Sequence, residues 1–275
     1  MMAARASSDS MQAGEQNSFE LPIIPYEDFQ KTLGQKIAQG DFGQIHEVLG
    51  TDGKRVYKII DSKDFKNGDE IRISEIAGRL QVAPQFRQAF SIPFQRKLFV
   101  VIEMDHGGKT LGKHMEEVAA KNAGPEPEPE PDEAPDSFAH LPPAVIAMLK
   151  EIQANDPYKV TVIKQLPRAS FEDTVTDIYA GKPETFYFQL FSRIKTLAEA
   201  KISYGDTHVG NILPNPEEVD GLKLIDFDGA ALEDSVEEAK AKSLSSAYTV
   251  THFDKFQALA DLSEESRALI DWFVK

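Results

Sequence analysis

The chain has 275 residues, 41% of them hydrophobic, which suffices for one large domain or two lobes with a sizeable core. Thirty basic against 45 acidic side chains give a net charge of −15 and a pI near 4.9, a field that repels nucleic acid and anionic membrane surfaces. Cysteine is absent, which excludes disulfides, thiolate zinc sites and cysteine nucleophiles, and no apolar run reaches the roughly 18 residues needed to span a bilayer.

Residues 1–20 are small and polar without the apolar core of a Sec signal, and are expected to form a disordered leader compatible with export by a non-Sec route. From Leu21 to residue 107 the pattern is β-rich. Residues 36–40 and 43–49 read as two strands, Asp52-Gly53 marks a tight hairpin, and 55–60 read as a third strand. A helix is expected over 69–81, where Ile71, Ile76, Ala77 and Leu80 recur at near-helical spacing, with Val82-Ala83-Pro84 as its stop. Residues 88–92 and 97–104 read as strands, the second apolar almost throughout and so expected to be buried.

Residues 108–143 form a different material. Alternating Pro and Glu across 124–136 predict an extended, self-repelling polyproline II rod, a solvated linker or surface insertion. From 144 to 275 the chain turns helical, with helices expected at 144–155 and 184–201, the latter with a broad apolar face. Short strands at 211–214 and 222–225 flank a turn at Asp220-Gly221. Further helices are expected at 253–262 and from Ser263 onward. Ser263 is a candidate cap, Glu264 and Glu265 suit the helix dipole, and Leu269, Ile270, Trp272 and Phe273 are expected to pack inward.

The chemistry concentrates in residues 202–213, Ile-Ser-Tyr-Gly-Asp-Thr-His-Val-Gly-Asn-Ile-Leu. Asp206 and Asn211, five apart on a loop between a helix and a short strand, can converge on one site. Asp206 can accept a proton from an attacking hydroxyl, and Asn211 can offer a neutral carbonyl oxygen to a hard cation. Fifteen residues further on, Leu224-Ile225-Asp226-Phe227-Asp228-Gly229 ends a second apolar strand with another carboxylate. Magnesium held by one carboxylate, one amide and the nucleotide's phosphates is the arrangement ATP sites use. Each residue alone reads as an ordinary turn Asp or Asn; the ordered set is what points to a site.

These strings resemble the catalytic loop, His-Gly-Asp-x-His-x-x-Asn, and the metal motif, Asp-Phe-Asp or Asp-Phe-Gly, of protein-kinase-like phosphotransferases. The nearest branch holds aminoglycoside and choline kinases, atypical kinases and small bacterial effector kinases. The resemblance implies an α+β, bilobal fold, with a β-rich N-lobe at 21–107 and a reduced, mainly helical C-lobe at 144–275. It implies Asp206 as catalytic base and Asn211 and Asp226 as magnesium ligands. His208 stands where ordinary protein kinases carry Lys, and Tyr204 where His is usual, a change expected to affect loop support more than chemistry.

Upstream, residues 37–45 resemble the glycine-rich loop that covers ATP phosphates, with Ala38 replacing its first Gly. Ile37, Ala38, Gly40, Phe42, Gly43 and Ile45 are thereby implied in ATP binding. Thirteen residues after Ile45, Lys58 matches the strand lysine that binds the α- and β-phosphates. On the following helix Glu75 is the carboxylate expected to orient Lys58, since Pro84 falls where that helix should end; Glu70 and Asp69 are the alternatives. Residues 99–105 resemble the hinge, with Ile102 as gatekeeper and the backbones of Glu103 and Asp105 on adenine.

Only 46 residues follow Gly229, too few for a phosphorylated activation segment and a full substrate-docking lobe, and no Ala-Pro-Glu signature occurs among them. Asp228 replaces the usual Gly. This shortness resembles the minimal kinases that bacterial pathogens inject into host cells. The resemblance thus implies ATP and Mg2+ as cofactors and a Ser or Thr hydroxyl of a host protein as acceptor, the enzyme being secreted by a non-Sec route or remaining cytoplasmic. A small-molecule kinase of the aminoglycoside or choline class is the first alternative. A non-catalytic binding module of kinase fold is the second, opposed by the presence of Lys58, Asp206, Asn211 and Asp226 together.

Overall fold

The computed structural model describes residues 20–39, 43–65, 68–122, 170–216 and 221–275. The leader, Gly40 and Phe42 of the glycine loop, the Pro-Glu stretch and the helix expected at 144–155 lie outside the described residues. The class is mixed α and β. Five strands form one antiparallel sheet in the order β1-β2-β3-β5-β4: β1 Leu33–Gln39, β2 Gly43–Val48, β3 Arg55–Asp61, β4 Phe86–Phe94 and β5 Lys97–Asp105. Eight helices occur among the described residues. None of them is long and apolar enough to cross a membrane.

The chain divides into two compact units: one takes it as far as Ile71 together with Arg87–Met104, the other Arg72–Phe86 with Asp105–Lys275. In the first, alternation places Val48, Tyr57, Phe90, Ile92 and Val101 on one face of the sheet. The short helix α1, Tyr26–Gln30, lays Phe29 on that face, with ring centroids 5.2 Å from Tyr57 and 5.9 Å from Phe90. The expected turn forms at Asp52 (φ 52°) and Gly53 (φ 71°), where the Lys54 N–H donates to the Thr51 carbonyl. The β4–β5 turn repeats this left-handed pair at Gln95 (φ 47°) and Arg96 (φ 64°), without the Asn-Gly or Asp-Gly signature that makes such turns readable. The outer edge of β4 is covered by the incoming chain, through a parallel bridge from Ile23 to Ser91.

The second unit is built around α5, Pro183–Glu199. The expected apolar face is present, and Phe186, Leu190, Phe191, Ile194 and Leu197 are all fully buried. Around α5 pack α6 (Val236–Ser245), α7 (Ala247–Gln257) and α8 (Glu264–Val274). The Phe191 ring stacks on Phe256 and meets Phe273 edge-on. Ser263 caps α8 by accepting the Ser266 N–H, and Glu184 of α5 accepts from both the Ser263 amide and the Ser266 hydroxyl. The unit also contains α3 (Leu111–Asn122) and α4 (Phe171–Ile178). Ile73 and Ala77 of α2 (Asp69–Arg79), with Val82 and Ala83 beyond it, belong to this helical core, so the stretch between β3 and β4 does not stay wholly with the sheet.

The helix expected at 253–262 lies instead at 247–257. Its inward face carries Thr249, His252 and Phe256, and polar residues at two of three inward positions hide the apolar period of its first half. Leu259 and Leu262 pack against the core from the connection that follows.

Candidate active site

Lys201, at φ 60°, turns the chain out of α5 into β6 (Ile202–Ser203), which pairs with β9 (Ala231–Leu232). The loop 204–211 follows and leads into β7 (Ile212–Leu213). β7 pairs with β8 (Lys223–Leu224) through Ile212↔Leu224, and the Ile225 N–H donates to the Asn211 carbonyl at 3.0 Å. That small hairpin brings Asn211 and the segment 225–228 to the same end. Arg193 fixes its far strand by donating from Nε to the Leu222 carbonyl. Sequence separation of fifteen residues thus becomes adjacency.

Within the loop, Asn211 is buried and its Nδ2 donates to Asp206 at Oδ2 (2.8 Å) and at the carbonyl oxygen (3.2 Å). The Gly210 N–H donates to His208 Nδ1, which assigns the ring proton to Nε2, 3.7 Å from Asp206 Oδ2. Tyr204 is completely buried. Its hydroxyl lies within donating distance of the carbonyls of Asp206 (3.0 Å) and Ile225 (2.8 Å) and so ties the two loops together. Burial pushes the Tyr204 phenol well above its usual range, so it remains a donor.

Asp206 carries a raised pKa. Partial burial is the leading cause, and the carboxylates of Asp226 and Asp228 act in the same direction, against His208 and the Asn211 amide. Asp226 adopts φ 64°, a left-handed conformation that Asp accepts at modest cost. The like charges of Asp226 and Asp228 act on Asp206, a repulsion that a bound cation would relieve. Asn211, with its nitrogen committed to Asp206, presents its amide oxygen as the remaining polar face, and Asp226 supplies an anionic oxygen nearby in the chain path. These are hard ligands suited to magnesium, which takes its other oxygens from water and phosphate. No cluster of three or more His, Cys, Asp or Glu is arranged as a self-sufficient metal site among the described residues.

In the sheet unit, register pairs Ala38 with Ile45, Ile45 with Lys58, and Gly43 with Ile60. Directly paired residues share a face, so Ala38, Gly43, Ile45 and Lys58 lie on the side opposite Tyr57 and its aromatic core. Ile102, buried next to Val101 of that core, shares the Lys58 side. Ile37 lies on β1 and is 41% exposed.

Of the helix glutamates expected to orient Lys58, the one that pairs with it is Glu70 and not Glu75: Lys58 Nζ to Glu70 Oε1 is 2.7 Å, and both side chains are nearly buried. Glu75 is exposed. Five residues turn an α-helix by about 140° beyond one revolution, so only one of the two can face β3. Glu70→Gln is therefore expected to lower stability by about 1–3 kcal/mol, and Glu75→Gln to stay within about 0.5 kcal/mol. Denaturant unfolding of both variants checks this, and equal losses would reopen the assignment. The residues expected to form a hinge divide similarly. The Glu103 side chain is buried and accepts from Arg55 and Gln88, so it is structural. The Asp105 N–H already donates to the Gln85 carbonyl at 2.9 Å, which leaves only its carbonyl for an adenine contact.

Sequence reasoning also missed Ser243 of α6 and Thr249 and His252 of α7, all buried and all hydrogen-bonded to the loop around Asp206. The available signal was polar residues three apart on a helix face that otherwise reads as core. Compared with known proteins, the chain matches no protein-family model and no curated protein.

Proposed function

We propose that the chain is an ATP- and magnesium-dependent kinase of kinase-like bilobal fold, transferring the γ-phosphoryl group to a protein Ser or Thr hydroxyl as a minimal secreted effector acting on host proteins. The observation that carries this reading is the Asp206–Asn211 pair, with Asp226 returned to the same hairpin end. Asp206 accepts the proton of the acceptor hydroxyl as its oxygen bonds to phosphorus and the bond to the leaving diphosphate breaks. Asn211 fixes one oxygen of that carboxylate and leaves Oδ1 for the acceptor. The Asn211 amide oxygen and the Asp226 carboxylate would hold magnesium, which would supply charge neutralisation at the phosphates. Lys58, aimed by Glu70, donates to the α- and β-phosphates.

The test is incubation with γ-labelled ATP and magnesium, against generic protein acceptors and a panel of small cationic alcohols including aminoglycosides and choline. Label on protein Ser or Thr supports the reading. A second reading, a small-molecule kinase, draws on Asp228, a third carboxylate that Asp206 feels and that would suit a cationic acceptor; label on a small alcohol alone would favour it. Identical background from wild type and Asp206→Ala in every arm would sink both.

A further inference from the structure

The two peptide carbonyls on either side of Asp206 are held by a single helix. Thr249 Oγ1 donates to the Gly205 carbonyl at 3.1 Å, and His252 Nε2 donates to the Thr207 carbonyl at 3.2 Å. With the Thr249 proton spent on Gly205, the Thr207 hydroxyl supplies the proton for the 3.1 Å bond between Thr207 and Thr249. Thr249 and His252 stand three apart on one face of α7, so both bonds are made by one rigid surface. One residue earlier in the loop, Ser243 of α6 accepts the Tyr204 N–H at 2.9 Å. The loop lies so close to the α6–α7 junction that a Cβ on Gly205 would stand 2.9 Å from the Ser246 Cβ, so only glycine fits there.

His252 is the costly member of this set. As a donor through Nε2 it carries its lone pair on Nδ1, which is buried without a hydrogen-bond partner. The ring sits against Phe171 (4.9 Å), Phe186 (6.4 Å) and Tyr187 (6.3 Å). Phenylalanine would fill that box without a stranded ring nitrogen, but would leave the Thr207 carbonyl without this donor. What histidine provides, and phenylalanine cannot, is the bond to Thr207. Resting on the reading of Asp206 as the base, we infer that Thr249 and His252 are positioning residues that fix the Asp206 carboxylate for phosphoryl transfer, a frame built into α7.

Four variants, His252→Phe, His252→Gln, Thr249→Val and Thr249→Ser, test this by steady-state kinetics, thermal melting and hydrogen exchange of the amides between 205 and 211. His252→Phe is expected to melt close to wild type, since relief of the stranded Nδ1 offsets loss of the donor to Thr207, yet to lose kcat by up to about 10²-fold, with KM for ATP within about twofold and faster exchange in the loop. Thr249→Val, the smaller change, should lose kcat in the same way should His252→Phe fail to fold. His252→Gln, whose Nε2 can reach the same carbonyl, and Thr249→Ser should recover most of the loss. A His252→Phe protein with wild-type kcat and wild-type loop exchange would overturn the inference, as would Gln and Ser variants no better than Phe and Val. Wild type without phosphotransfer would instead remove the proposed function, and unchanged loop exchange in the Phe and Val variants would then overturn the frame independently.

Discussion

Asp206→Asn is expected to reduce kcat by about 10²–10⁴-fold while leaving the affinity for Mg·ATP within about twofold of wild type. Asn keeps the shape of the side chain and can still accept from Asn211 Nδ2, so the loop's hydrogen bonds survive. What it removes is the capacity to take a proton. The wild-type profile should carry the same signature. Burial, with the Asp226 and Asp228 carboxylates acting alongside it, raises the Asp206 pKa, so the ionised base appears only at higher pH than an ordinary aspartate near 3.9 would allow. As pH falls through that raised value, kcat/KM must fall with it. The linkage to stability has the opposite sense: ionising a group whose folded pKa is raised weakens the folded state as pH rises. Asp206→Asn should therefore gain thermal stability relative to wild type at neutral pH and lose that advantage in acid. A variant retaining more than a tenth of the wild-type rate would remove Asp206 from the role of base.

The convergence of these loop residues was legible because motif spacing survives folding when a hairpin closes it. Asp206, Asn211 and Asp226 are separated in sequence by loop and strand, and the β7–β8 ladder converts that separation into proximity. The apolar run of β5, the Asp52-Gly53 turn, the buried face of α5 and the Ser263 cap were legible for local reasons, each set by residues within a few positions. The phase of α2 was not. Whether Glu70 or Glu75 meets Lys58 depends on which side of the helix the neighbouring elements cover. Besides the five-residue α1, three helices passed unnoticed although each carries a start signal: Thr110 accepts the Lys113 N–H at α3, which lies inside the stretch 108–143 expected as a linker, Ser170 the Asp173 N–H at α4, and Ser235 the Glu238 N–H at α6. In α7 the difficulty was of another kind. Thr249 and His252 point inward and donate to carbonyls of the loop, so satisfaction of buried polar groups overrode the apolar pattern from which burial is read.

Asp226 is where removing a charge separates binding from folding most sharply. Asp226→Asn preserves a side chain that tolerates φ 64° and removes only the negative oxygen; Asp226→Ala removes the ligand and also places a poorly suited residue in the left-handed region, at a cost of about 1–2 kcal/mol. Both variants are expected to lose magnesium-dependent nucleotide affinity by more than the roughly 10–100-fold that even indirect metal contacts command, with little change in the weak binding measured in the presence of a chelator. Their melting temperatures without ligand should diverge, the Ala variant falling below the Asn variant because Ala is the more strained at φ 64°, while both lose the repulsion that Asp226 exerts on Asp206. That repulsion has a second readout. Asp226 is one of the charges that raise the Asp206 pKa, so neutralising it eases the ionisation of Asp206 and moves its carboxyl titration, followed by carbon NMR, to lower pH. Calorimetry that found normal Mg·ATP affinity in Asp226→Asn would take this residue off the metal. An unmoved Asp206 titration would show that the two carboxylates do not share a field. Loss of affinity together with a lowered Asp206 titration is the combination expected if one cation is what brings these acidic side chains together.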